Sequence, residues 1–406
     1  MNYQSYVLPN GLRIVHLPVN SPVSYCGIVV NAGTRDEEAA EFGLAHFVEH
    51  MLFKGTAKRK SWHILNRMEN VGGDLNAYTT KEETFVYSVF MEEHYNRAFE
   101  LLSDIVFNSQ FPTHEIEKEV EVILDEINSY KDSPAELIFD EFENYLFSGY
   151  PLGHNILGDE QSLLTFTPES GHSFIRRFYV PENMVFFSMG RKPFAKIVNL
   201  AASILGDKTI LAIPRNREAP LPDTSFSKKE NKETHQSHVI IGGKAYHMYD
   251  EKRIPLFLLN NILGGPGMNN RLSISLREKH GLVYTVESNI TNYTDTGLAY
   301  VYFGTDPKNK DKALSLVNKE LKKMRDVKLT DSQLFAAKKQ IIGQLSVSSD
   351  NRESLFLGLG KSFLHYNRYD TLPEVFERIG QVTTSQILDV ANEIFSPDNL
   401  SYLAYE

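Results

Sequence analysis

Residues 43–50 read Gly-Leu-Ala-His-Phe-Val-Glu-His, and this short stretch indicates both a local structure and a chemistry. Apolar residues recur at helical spacing from about Gly43 to Phe53, which predicts an amphipathic helix. His46 and His50 are four residues apart, so a helix would place both imidazoles one turn apart on the same face. Glu49, three residues after His46, would share that side of the helix.

Two histidines beside a carboxylate suit a catalytic zinc ion. Such sites hold zinc with three His or carboxylate ligands and leave one position for water. The ion lowers the pKa of that water and polarises a scissile carbonyl, while a carboxylate that is not a ligand accepts the proton. The sequence therefore predicts His46 and His50 as metal ligands and Glu49 as the general base. The simpler alternative is an amphipathic helix with two solvated histidines and a surface glutamate.

A third ligand is expected from a second helix, and the helical stretch His114–Lys131 offers several carboxylates. Glu119 and Glu126 are seven residues apart, which places them two turns apart on one helix face. One of them could bind zinc while the other supports a histidine ligand from behind. Residue chemistry does not choose between them, nor does it exclude Glu115 or Asp125.

The order of predicted elements suggests two similar halves. Segments 76–106 and 292–321 both run strand, strand, turn and long helix, which is a weak internal repeat. Between the halves, residues 207–234 combine three prolines with a polar, charged run, which is typical of a linker, although a long surface loop would look the same. We therefore predict an α+β fold with domains at 1–206 and 235–406, each an antiparallel sheet with helices packed on one side.

Composition narrows the class of protein. The chain has 406 residues, 42% of them hydrophobic, and a net charge of -10, which argues against nucleic acid as the main partner. We expect neither a signal peptide nor a membrane span, because the first residues do not combine a basic region with an apolar stretch and no window approaches the length of a span. The single cysteine, Cys26, lies in an apolar strand-like run and is expected in the core. One cysteine cannot form an internal disulfide, so a reducing, cytoplasmic location is expected.

The wider segment 32–56, AGTRDEEAAEFGLAHFVEHMLFKGT, resembles the insulinase and pitrilysin family of zinc metallopeptidases. His-x-x-Glu-His is the inverzincin signature of that family. The similarity covers essentially the whole chain and looks closest to the short subgroup related to mitochondrial processing peptidase. It implies that Glu126 is the third zinc ligand and that Glu119 supports the site without binding the metal.

The resemblance also implies residues that contact the substrate. Residues 73–79, GDLNAYT, match an edge strand to which a substrate peptide adds by backbone hydrogen bonds, with Asn76 and Ala77 at the contact. In residues 276–284, Arg277 and Tyr284 match a motif that would stabilise the substrate carbonyl and the tetrahedral intermediate. By spacing alone, these two would be an ordinary helix-end arginine and a core tyrosine.

The preceding Gly-rich stretch, GGPGMNN at 264–270, is similar to one in the family. It also invites comparison with a phosphate-binding loop, but the Lys-Ser/Thr ending of such a loop is missing.

The family fold implies two homologous halves that face each other across a chamber, with zinc in the first half only. Because this chain has two such domains where full-length members have four, the resemblance implies a homodimer. The expected function is a zinc endopeptidase acting on unfolded or short peptides. A non-catalytic peptide-binding or structural subunit of the same family is the alternative, and a zinc amidohydrolase acting on small molecules is a third possibility.

Overall fold

A computed structural model describes residues 2–208, 217–220, 225–232 and 234–406. Its strands, numbered in chain order, are β1 (Gln4–Val7), β2 (Arg13–Pro18), β3 (Val23–Val30), β4 (Asp74–Thr79), β5 (Thr84–Met91), β6 (Met184–Gly190), β7 (Ser227–Glu230), β8 (Ser237–Ala245), β9 (Val283–Asn292), β10 (Gly297–Thr305) and β11 (Ser401–Tyr405). Its α-helices are α1 (Leu44–Leu52), α2 (Ser61–Glu69), α3 (Tyr95–Asn108), α4 (Thr113–Lys131), α5 (Pro134–Leu146), α6 (Glu160–Leu163), α7 (Pro168–Phe178), α8 (Phe194–Leu205), α9 (Arg253–Gly264), α10 (Lys310–Asp326), α11 (Asp331–Ser348), α12 (Arg352–Tyr366), α13 (Leu372–Gln381) and α14 (Thr384–Ile394).

The chain divides into two compact units, and neither is a continuous segment. The first contains Met1–Asn128, His154–Arg217 and Ser349–Thr371, and the second contains Ser129–Gly153, Glu218–Ser348 and Leu372–Glu406. The predicted domains at 1–206 and 235–406 treat each half as one piece of chain. In the structure, the segment that carries α5 belongs to the second unit, and the segment that carries α12 belongs to the first.

The two sheets share an arrangement of five strands, and the first sheet has β1 as an additional strand at one edge. Their orders are β1-β2-β6-β3-β5-β4 in the first unit and β7-β11-β8-β10-β9 in the second. Each contains one parallel pair, β2 with β6 and β7 with β11, followed by antiparallel pairs out to the hairpin at the edge. The predicted repeat corresponds to β4-β5-α3 and β9-β10-α10. The α+β class with two similar halves is therefore confirmed, with the added detail of one parallel pair in each sheet.

The first unit buries both faces of its sheet. One face packs against α1, α2 and α3, and the other face is covered by α12, whose Phe356, Leu359 and Phe363 are buried. A helix on the second face departs from the expectation of helices on one side only. The reason lies in β6, which is buried at every residue, because a strand that is apolar on both faces needs a cover on each. Gly360 allows the close approach, since a Cβ there would lie 2.8 Å from the ring of Phe187.

The second unit repeats this arrangement with a different helix. Its larger core lies between the sheet and helices that include α9, α10 and α14. The other face of the sheet packs against α5, whose Leu137, Ile138 and Phe142 contact a cluster that contains Ile240 and Leu403. Each sheet is therefore a layer between two helical layers.

Two further segments differ from expectation. Of the predicted linker, residues 209–216, 221–224 and 233 lie outside the described residues, while part of the charged run forms β7, an exposed edge strand rich in lysine. The helix predicted at Leu272–Lys279 is a π-helical turn over Ser273–Glu278, in which the Lys279 N–H donates to the carbonyl of Ile274. Within the described ranges, no helix is long and apolar enough to cross a membrane.

Candidate metal centre

Helix α1 presents its apolar side to the core and its polar side to the candidate site. Its five large apolar side chains are fully buried, and they are Leu44, Phe47, Val48, Met51 and Leu52. The helix begins after Gly43, which has a left-handed φ of 92° and no room for a side chain, because a Cβ would lie 2.7 Å from the carbonyl oxygen of Leu157. Because the apolar side of α1 faces the core, His46, Glu49 and His50 lie on the other side of the helix.

The ligand atoms of His46, His50 and Glu126 lie within 4.8 Å of one another. The Glu126 Oε2 atom is 3.8 Å from Nε2 of His46 and 3.6 Å from Nε2 of His50. Tetrahedral zinc with bonds of about 2.0–2.2 Å separates its ligand atoms by roughly 3.4 Å, so these three atoms need only small shifts to share an ion. In the described part of the chain, no other set of His, Cys, Asp or Glu side chains meets this closely.

Burial sets the protonation state of His46, the first predicted ligand. Its side chain is 9% exposed, and desolvation, with a smaller effect of His50, lowers the pKa of its imidazole to about 3. The ring is therefore neutral near pH 7, which is the form that binds metals. Glu126 is 45% exposed, which leaves one side of the cluster open towards solvent.

Glu119 contacts His50, the second predicted ligand. Its Oε1 atom accepts a hydrogen bond from Nδ1 of His50 at 3.1 Å, and its Oε2 atom forms a close ion pair with Lys54. Burial raises the pKa of the Glu119 carboxyl, but the contacts with His50 and Lys54 outweigh this and lower it. The ionised carboxylate thus holds the proton of His50 on Nδ1 and leaves Nε2 free to bind a metal. Glu115, another candidate, instead pairs with Lys118.

Glu49 interacts with Thr79 at the end of β4. Burial raises the pKa of its carboxyl, contacts with Thr79 and the charge of His50 lower it, and the negative charge of Glu126 raises it again. The net shift is upward, which suits a group that must take up and release a proton. Glu49 belongs to no ligand set in the structure, as a general base requires.

The predicted substrate strand is an edge strand. β4 is the last strand of the first sheet, where Asn76 pairs with Tyr87 and Ala77 pairs with Val86 of β5. Among the described residues, no strand pairs with its other edge, and α1 contacts β4. An extended peptide could therefore add to β4 next to the metal ligands.

Arg277 and Tyr284 lie together in the second unit. The Arg277 guanidinium carbon is 5.9 Å from the ring centroid of Tyr284, which is 84% exposed, so Tyr284 is not the core residue that spacing alone suggests. Both line a cavity of about 690 Å³ beside β9, together with the Gly-rich segment at 264–267. The structure places these two residues with each other and with the Gly-rich segment.

Three residues near the candidate metal ligands were not predicted from the sequence. Lys54 follows His50 by one helical turn, and this spacing could have suggested its pairing with Glu119. Thr79 touches Glu49 from the end of β4, and Glu37 caps the start of α1 from a preceding loop. These two contacts join residues that are not related by helix or strand periodicity, so no pattern in the sequence predicts them.

Comparison with known proteins identifies the class. The chain belongs to the insulinase family of peptidases, peptidase family M16: the insulinase profile matches residues 15–160, and a profile described as the peptidase M16 inactive domain matches residues 165–341. Among relatives, YmxG of Bacillus subtilis, named an uncharacterized zinc protease, is 30% identical over 97% of this chain and 96% of its own length. A protein of Rickettsia felis with the same description is 32% identical over 97% of this chain and 95% of its own.

Solved structures share the fold. A Pseudomonas fluorescens protein described as a peptidase M16 inactive domain superposes with a TM-score of 0.93 at 20% identity, covering 100% of this chain and 98% of that one. A protease from Helicobacter pylori superposes with a TM-score of 0.90 at 21% identity, covering 100% and 99%. The family is therefore one of peptidases, and its curated relatives here carry the name zinc protease.

Proposed function

We propose that this protein is a zinc-dependent endopeptidase that hydrolyses unfolded or short peptides. The observation that carries the proposal is the convergence of His46, His50 and Glu126, with Glu49 beside them and outside the ligand set. Two imidazoles and one carboxylate are a donor set typical of catalytic zinc with an open position. The zinc proteases among the relatives support the same choice of metal.

His46, His50 and Glu126 would hold the zinc ion, and Glu119 keeps His50 in the ligand tautomer. When bound, zinc supplies a Lewis acid that polarises a peptide carbonyl and lowers the pKa of water. Glu49 accepts the proton of the attacking water on its carboxylate and delivers it to the leaving amine, so the carboxylate is regenerated in each cycle. Its raised pKa favours the first of these transfers, because a higher pKa makes the carboxylate a stronger base.

The substrate is held by backbone contacts in this proposal. A peptide in extended conformation adds to β4 at Asn76 and Ala77, which gives affinity without demanding one sequence. Arg277 and Tyr284 contact the substrate carbonyl and stabilise the charge that develops on its oxygen during attack. The exposure of Tyr284 and the position of both residues on one cavity support a binding role.

The test combines metal analysis with cleavage of an unstructured peptide. We expect about one zinc per chain, loss of cleavage on chelation, and its return on addition of zinc. Glu49→Gln should abolish cleavage while zinc stays bound, and Glu121→Gln, which changes an exposed carboxylate on the nearby α4, should leave both unchanged. Full activity of Glu49→Gln would refute the assigned base. A protein that stays inert with zinc would instead indicate a non-catalytic peptide-binding subunit.

The length of the substrate and the oligomeric state complete the proposal. Substrates are peptides that enter a closed chamber formed by a homodimer in the cytoplasm, and the single buried cysteine, Cys26, is consistent with a reducing compartment. Cleavage should fall steeply from unfolded peptides to folded proteins, whereas an amidohydrolase would prefer small amides. Light scattering during size-exclusion chromatography should give the mass of two chains, and a fully active monomer would contradict the dimer.

A further inference from the structure

The start of α1 lacks a capping side chain of its own. The first N–H groups of a helix have no partner within the helix, and a Ser, Thr, Asp or Asn at the cap position usually accepts from them. Here the cap position is Gly43, which must be glycine because of its left-handed backbone and the contact with Leu157. The partner for these N–H groups must therefore come from another part of the chain.

Glu37 supplies that partner. Its Oε2 atom accepts from the N–H of Gly43 at 2.9 Å, and its Oε1 atom accepts from the N–H of Ala45 at 2.7 Å. The Glu37 side chain is 0% exposed, so it makes these contacts away from water. Ala45 is the residue before His46, so the carboxylate fixes the backbone next to the first predicted metal ligand.

His154 holds Glu37 in turn. Its Nε2 atom lies 2.8 Å from Oε2 of Glu37, and its ring stacks on Phe42 with centroids 4.0 Å apart. The carbonyl of His154 accepts from the buried amine of Lys81, which lies in the turn between β4 and β5. A chain of contacts thus runs from the end of the substrate strand through His154 and Glu37 to the first turn of α1.

We infer that Glu37 and His154 are positioning residues for the zinc site, acting through the first turn of α1 to set the place of His46. The inference rests on the proposed zinc function. It gives a role to two residues that lie outside the His-x-x-Glu-His motif. Neither belongs to the ligand set, so their effect must pass through the backbone of α1. Contacts behind the ligands of a metal site typically change metal affinity by 10–100-fold.

The test measures zinc affinity by competition with a chelator, together with the visible spectrum of the cobalt-substituted protein, which reports ligand geometry. Glu37→Gln keeps the size of the side chain but turns an NH2 group towards a backbone N–H. We expect the zinc dissociation constant to rise about tenfold and the cobalt spectrum to change. The matched control is Glu143→Gln, which alters a buried carboxylate that contacts Tyr293 in the second unit. It should leave zinc affinity and the cobalt spectrum unchanged.

A second pair of variants guards against simple misfolding. His154→Leu removes the ring nitrogen that contacts Glu37 and should weaken zinc binding, whereas His154→Gln keeps a hydrogen-bonding group there and should restore most of the affinity. If Glu37→Gln and His154→Leu lower only the midpoint of thermal unfolding, with zinc affinity and cobalt spectrum as in the wild type, the two residues are merely structural and the inference is overturned. A wild-type protein that binds no zinc would overturn both this inference and the proposed function.

Discussion

Replacing Glu83 by glutamine should reveal how strongly α12 is attached to the sheet of the first unit. The Glu83 carboxylate, 3% exposed, contacts Nε2 of His365 at 2.5 Å and Nζ of Lys361 at 3.3 Å, both on α12. Thr80 donates to its second oxygen. Burial raises the pKa of Glu83, but the contacts with His365, Lys361 and Thr80 outweigh this and lower it from 4.5 to about 2.

The lowered pKa of Glu83 sets both the size of its contribution to stability and the direction in which that contribution changes with pH. Because the pKa of Glu83 is lower in the folded state, its contribution to stability is complete above about pH 4.5 and is lost as the pH falls through 2. A fall in pKa from 4.5 to about 2 corresponds to about 3 kcal/mol of unfolding free energy at pH 7. By the same linkage, about 2 kcal/mol of that contribution should be gone at pH 3.

The assay is urea unfolding of the wild type and Glu83→Gln between pH 7 and pH 3. The single tryptophan, Trp62, lies in the first unit, so its fluorescence follows the unit that contains Glu83. The wild type should be more stable at pH 7, and the difference between the two proteins should shrink towards pH 3. Glu69→Gln, an exposed carboxylate in the same unit, should show no such trend. A difference that stays constant over this range would refute the assigned pKa and its cause.

Three further outcomes are expected. Glu119→Ala should raise the zinc dissociation constant by about 10–100-fold, measured by chelator competition, because it removes the group that orients His50; unchanged affinity would contradict that role. Gly360→Ala should destabilise the first unit by about 1–3 kcal/mol in urea unfolding, because its Cβ would clash with Phe187, whereas Gly358→Ala on the same helix has free space and should not. Free zinc at 1,000 times its dissociation constant should stabilise the first unit by about 4 kcal/mol. If a chelator leaves the midpoint of thermal unfolding unchanged, the folded protein does not bind zinc.

The sequence by itself determined the local structure and the core of the chemistry. The period of apolar residues around 43–53 predicted α1, and the spacing of His46 and His50 placed both imidazoles on one side, because a helix of 3.6 residues per turn leaves no other arrangement. Alternation and repeated element order predicted the strands and the two similar halves in the same way. Each of these inferences depends on neighbours along the chain, which the sequence shows directly.

Only the tertiary structure decided how distant segments meet. The chemistry of the residues left four carboxylates open as the third ligand. In the structure, Glu126 approaches Nε2 of both histidines, whereas Glu119 contacts Nδ1 of His50. The exchange of α5 and α12 between the units, and the capping of α1 by Glu37, also escaped prediction. Such contacts depend on which apolar faces another helix must bury and on where a backbone N–H needs a hydrogen-bond acceptor. These are properties of the packed chain, and the periodicity of residues along the sequence does not show them.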